Sequence, residues 1–179
     1  MSNEKPSDKE SKMSFNLIFA PESDEFADAS EEYKKIWESE SEKILQAMEE
    51  VSGLKFPKST MSVTIFEGVS KLSWDDAGNY SLKLRASYPL EVKKATIVHE
   101  LGHRLITQVT ERPADLDEHR ILFLFLYDVW TKLYGKEFAD SMVSIEKRRK
   151  GMYDYESAWG WALSLSQEER KERFKNLIT

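Results

Sequence analysis

Apolar and polar positions follow three different rhythms along the chain. Over 22–51, Phe26, Tyr33, Ile36, Trp37, Ile44, Leu45 and Met48 recur at steps of three and four among acids and lysines, which predicts a long amphipathic helix. Ser52-Gly53 and Pro57 end it. Over 61–67 (MSVTIFE) the chain turns rich in β-branched residues. Over 80–87, Tyr80, Leu82, Leu84 and Ala86 alternate with Ser81, Lys83, Arg85 and Ser87. Between these runs, WDDAGN at 74–79 is turn chemistry. The pattern predicts a small antiparallel sheet whose last strand has one apolar and one polar face. A short apolar run at 15–19 suits a strand or a packing anchor.

Helical spacing then takes over. Pro89 opens a helix running to about Gln108, and Pro113 breaks the chain after it. Asp115 is placed to cap the next helix, with Glu118 three positions on to complete a capping box. That helix, over 116–134, is apolar nearly all round from 121 to 130, which predicts a central, buried helix ending at Gly135. Two further helices are expected near 136–150 and 155–178, the second amphipathic through Trp159, Trp161, Leu163, Phe174 and Leu177. The fold class is therefore α+β, with a mostly helical C-terminal half. Residues 1–13, rich in Ser, Lys and Glu, read as a disordered leader, and 14–179 as one domain without repeat or linker.

Composition narrows the functions open to such a chain. The net charge is −6, whereas a protein that tracks phosphates carries a basic excess, so neither nucleic acid nor an anionic membrane is expected as partner. A local basic run at 147–150 has a solvated helix face as its ordinary explanation. With no cysteine, disulfides, thiolate metal sites and cysteine nucleophiles are excluded. The charged start lacks the apolar core of a signal peptide, and no apolar run approaches the roughly 20 residues that span a bilayer. A cytoplasmic location is the expectation.

The informative stretch is ATIVHELGHRL at 95–105, because it sets His99 and His103 four residues apart on the motif helix. At that spacing two side chains share a face, with Cβ atoms roughly 5–6 Å apart, so both imidazoles can serve one metal ion. Glu100 projects about 100° further round, near the ion without necessarily ligating it. A zinc ion held by neutral nitrogens with one position open lowers the pKa of water to roughly 7. A carboxylate beside that water can take its proton and return it to a leaving amine.

His99-Glu100-Leu101-Gly102-His103 resembles the HExxH active-site helix of zincin metallopeptidases. There the two histidines bind zinc and the glutamate is the general base. The helical context and the strand just before it agree with that resemblance. The metzincin extension is missing, since Ile106 stands where its glycine would be and Val109 where its next histidine would be. In SprT-like peptidases a third histidine opens the next helix some fifteen residues on, and His119 lies sixteen positions beyond His103 (119 − 103). In thermolysin-type gluzincins a carboxylate takes that place. Glu118 is the second choice here, with Asp115, Asp117, Glu111 and Asp128 behind it.

The resemblance implies a small zincin-like domain and a zinc-dependent peptidase, with His99, His103 and His119 as ligands and Glu100 as base. A peptide substrate would add to the strand near 80–87 by main-chain hydrogen bonds. Tyr153, Tyr155, Tyr127, Arg104 and Arg120 are candidates to stabilise the oxyanion. Asp128 and Asp115 are the nearest carboxylates to orient the histidines. Gly102 inside the helix implies close approach of a neighbouring element. The alternative is a zincin-like module that binds metal or protein without turnover.

Overall fold

The computed structural model describes residues 14–179; the leader expected at 1–13 lies outside the described residues. Strand β1 (Asn16–Pro21) leads through a 3-10 turn (Asp24–Phe26) into helix α1 (Ala27–Ser52), which buries Tyr33, Ile36, Trp37, Ile44 and Met48. Gly53 ends α1 at φ 76°, a left-handed cap that glycine adopts without steric cost, and its N–H donates to Glu49 O at 2.9 Å. Three strands follow: β2 (Thr60–Phe66), β3 (Lys71–Trp74) and β4 (Tyr80–Arg85). Then come α2 (Leu90–Ile106), α3 (Glu118–Tyr134), α4 (Lys136–Lys147), α5 (Tyr155–Ser164) and α6 (Gln167–Ile178). The class is α+β, as the periodicities predict.

The sheet is mixed, which corrects the antiparallel expectation. Its order is β1-β2-β4-β3, with β1 parallel to β2, β2 parallel to β4, and only β3 antiparallel to its neighbour. The 26-residue α1 carries the chain back across the sheet, so β1 and β2 point the same way. The tight turn at 75–79 makes β3 and β4 a hairpin, and it is β4 that inserts beside β2. As a result Ser81–Lys83 of β4 are flanked by strands on both sides, so within that stretch β4 is not an edge to which a peptide can add. The edge strands are β1 and β3, and β3 is the one next to β4.

The alternation read in β4 turns Leu82 and Leu84 inward, in register with Val63 and Ile65 of β2. Burying each such side chain contributes about 1.5–3 kcal/mol before chain entropy is counted. These residues form one face of a core whose centre is α3, enclosed by α1, α2, α4, α5 and α6. Trp130 Nε1 donates to Ala95 O at 3.3 Å, tying α3 to α2. Gly102 is the point of closest approach: a Cβ there would overlap a methyl of Leu122. Among the described residues no helix is long and apolar enough to cross a membrane.

Two helix boundaries differ from expectation. Asp117, not Asp115, caps α3, its side chain accepting from Arg120 N at 2.9 Å. The helix expected over 155–178 is two helices. The chain turns extended at Leu165 (ψ 143°), and Ser166 opens α6 with a capping box to Glu169.

Candidate metal centre

The amphipathic face of α2 presents His99 and His103 from successive turns toward the start of α3. Their Nε2 atoms lie 3.2 Å apart, and both rings are buried. His119 comes from the first turn of α3, and its ring centroid is 4.8 Å from that of His103. One ligating atom from each of His99, His103 and His119 falls within 4.8 Å of the others, so the three are close enough to hold one metal ion. The cap by Asp117 is what places His119 here, because it starts α3 two residues before the histidine.

A carboxylate stands behind each of the α2 histidines. His99 Nδ1 donates to Glu146 Oε1 at 2.7 Å, and His103 Nδ1 donates to Glu118 Oε1 at 2.7 Å. A proton on Nδ1 leaves the lone pair on Nε2, so these bonds fix the tautomer that a metal needs. Glu146 is buried and doubly engaged, since Trp159 Nε1 also donates to its Oε2 at 2.8 Å and Arg149 lies 3.4 Å from Oε1. Burial alone would raise the Glu146 pKa; the charge and hydrogen bond of His99, with Arg149 and Trp159, outweigh it and hold it down at about 2.

His103 and His119 are shifted in opposite directions. Burial works against a charge on His103, yet the Glu118 hydrogen bond and the surrounding carboxylates raise its pKa above the ordinary value. Among the described residues no carboxylate hydrogen-bonds to His119, whose Nε2 lies beside the Tyr155 hydroxyl. Burial first, and the neighbouring His99 and His103 second, lower the His119 pKa to about 3, so its ring stays neutral.

Glu100 is buried, and among the described residues no side chain or backbone group hydrogen-bonds to its carboxylate. Buried carboxylates are ordinarily paired. Among the described residues no sealed side-chain atom lacks a partner, so the oxygens of Glu100, which have none, face solvent on the side of the histidines.

An aromatic wall closes the far side. Phe123 stacks on Trp159 at 3.8 Å between centroids and lies against His99 and His119. The Tyr153 ring lies 4.2 Å from that of His119 while its hydroxyl donates to Asp117 at 2.8 Å. The Tyr155 hydroxyl is 3.3 Å from His119 Nε2.

Other candidates are committed elsewhere. Tyr127 donates to Asp140 at 2.8 Å, Arg104 bonds Thr107 at 3.0 Å and stacks on Tyr80, and Arg120 pairs with Asp117. Asp128, expected to orient a histidine, instead takes both arms of Arg170 at 2.8 and 3.1 Å. Asp115 is exposed, and Glu111 also lies on the exposed loop before α3.

Glu146 went unnoticed in the sequence although a signal was present. Ala139, Met142, Val143 and Glu146 share one helical face and are all buried, so a carboxylate stands on an apolar stripe. Glu118, expected as a capping-box residue and as the second choice for third ligand, instead hydrogen-bonds His103 Nδ1. Comparison of the chain with protein-family models, with curated proteins and with solved structures finds no match to any of them.

Proposed function

We propose that the protein is a zinc-dependent peptidase, with Glu100 as general base and His99, His103 and His119 as the metal ligands. The observation that carries this reading is the Glu100 carboxylate, without a hydrogen-bond partner among the described residues, on the same helix as His99 and His103, which with His119 bring one ring nitrogen each to within 4.8 Å of the others. Two nitrogens on a tetrahedral zinc at about 2.0–2.1 Å are roughly 3.3 Å apart. The 3.2 Å between His99 and His103 Nε2 supports zinc on that ground. Three histidines, with no fourth protein ligand beside them among the described residues, suit a catalytic rather than a closed structural site.

When bound, zinc supplies Lewis acidity, acidifying water and polarising a peptide carbonyl. The chain's own residues do the rest. Glu100 accepts a proton from the attacking water and passes it to the departing amine. Glu146 and Glu118 hold two of the imidazoles in the ligating tautomer. The Tyr155 hydroxyl, beside the ligand atoms, donates a hydrogen bond to the oxygen that gains charge. The open edge of β3, with Trp74 exposed at one end, offers main-chain groups to an extended peptide.

Incubating the zinc-loaded protein with a mixed peptide library, beside its Glu100→Gln variant, tests the reading. Cleavage by the first, and its loss in the second with zinc still bound, is the expected result. Equal cleavage by both would overturn the role of Glu100, and cleavage by neither would leave a metal-binding module.

A further inference from the structure

Beside the metal centre, at the end of α4, the chain carries four successive cations, Lys147, Arg148, Arg149 and Lys150, although its net charge is −6. Such a run on a plain solvated helix needs no explanation. This one is folded against the site. Arg149 is the member with an ion pair among the described residues, at 3.4 Å from Glu146, which itself holds His99. Its guanidinium lies over the Tyr155 ring at 5.5 Å and faces the Tyr88 ring at 6.0 Å. A guanidinium carries five donors, and about a quarter of this side chain is open to solvent (27%).

Lys147, Arg149 and Lys150 line a hollow of about 250 Å³ together with Tyr153 and Tyr155, the two tyrosines that touch His119. Asp154 and Glu156 also border it. The Asp154 carboxylate is engaged as the cap of α5, accepting from Ser157 N at 2.9 Å. The hollow therefore combines a planar cation, two lysines and two aromatic rings next to the histidines.

Its position along the open edge follows from a chain of contacts. Ser70, just before β3, accepts from Arg85 N at 2.9 Å; Arg85 lies 5.6 Å over Tyr88; Tyr88 faces Arg149. The hollow thus lies off the Lys71 end of β3. A peptide pairing antiparallel to β3, the more stable arrangement, runs from Trp74 toward Lys71. Its C-terminal half is the half that reaches the hollow.

We propose that this hollow is a subsite for an acidic side chain just C-terminal to the scissile bond, so that the substrates of the centre are acidic peptide segments. The inference rests on the peptidase reading for the word scissile, but its charge preference is measurable without turnover.

The zinc-loaded Glu100→Gln protein, full length, is titrated in low salt with labelled ten-residue peptides of Ala, Ser and Leu. Each has two central Glu, two central Gln or two central Lys. The Glu peptide should bind at least tenfold tighter than the Lys peptide, with Gln between, and 0.5 M salt should compress the ratio. In Lys147→Glu/Lys150→Glu, two surface changes checked for native melting and zinc content, the ratio should fall at least fivefold. Equal affinities, no binding of any peptide, or a preference that survives the charge reversal would overturn the subsite. Loss of cleavage in the library assay with the Glu preference intact would instead count against the peptidase reading alone.

Discussion

Replacing Glu146 with Gln changes one atom in the support of His99 and should weaken zinc binding without touching a ligand. In the native site two donors converge on the carboxylate, His99 Nδ1 at 2.7 Å and Trp159 Nε1 at 2.8 Å, and Arg149 lies 3.4 Å away. A Gln amide has one acceptor oxygen, so one buried donor faces an NH2 group. Should the NH2 face Trp159, an unsatisfied buried donor costs about 1–3 kcal/mol and Arg149 loses its counter-charge. Should it face His99, Nδ1 becomes the acceptor and the proton moves to Nε2, where the metal must bind. Either way zinc affinity falls, by roughly 10–100-fold, the usual cost of losing such a partner.

Competition for zinc against a chromophoric chelator at neutral pH reads that loss directly, and denaturant unfolding of the metal-free proteins reads the destabilisation, about 2–4 kcal/mol. The second quantity should also depend on pH. The Glu146 pKa is depressed from 4.5 to about 2 in the folded chain, against burial, by His99 and then Arg149 and Trp159. A depressed carboxylate stabilises the fold above its unfolded pKa and loses that contribution as pH falls through the folded one. The stability gap between the native protein and the Gln variant should therefore shrink as pH drops from about 4.5 toward 2. Unchanged zinc affinity together with an unchanged, pH-independent stability would refute the orienting role.

Two other substitutions separate chemistry from architecture. Tyr155→Phe removes the hydroxyl 3.3 Å from His119 Nε2. It should lower kcat on a cleaved peptide about 100-fold or more while zinc affinity stays within about twofold; full kcat would remove Tyr155 from the reaction. Asp128→Asn breaks the buried, two-armed pair with Arg170 and should cost about 3–5 kcal/mol in urea unfolding. Since Asp128 is committed to α6 and not to a histidine, zinc affinity should be unchanged, and a tenfold loss would return it to the metal centre.

What could be read from the chain alone was local. The four-residue step from His99 to His103, the place of Glu100 between them and the apolar girth of α3 are properties of one helix each, so periodicity exposes them. His119 could be singled out because it stands in the first turn of the next helix. The pairing of strands could not, since placing β4 between β2 and β3 depends on contacts far apart in sequence, and the small hairpin alone suggests an antiparallel sheet. The same distance hid the Glu146 support of His99, 47 residues away. Glu118 shows a different difficulty. A glutamate at a helix start satisfies a capping pattern equally well whether it turns to the backbone or to a neighbouring imidazole, and only packing of α2 on α3 decides.

X-ray absorption at the zinc edge of the loaded protein bears on the whole assignment at once. His99, His103 and His119 as ligands require three imidazole nitrogens at about 2.0–2.1 Å with one further light atom, and one imidazole fewer in His119→Ala. A zinc shell dominated by carboxylate oxygen, or one unaltered by the loss of His119, would contradict the three-histidine centre.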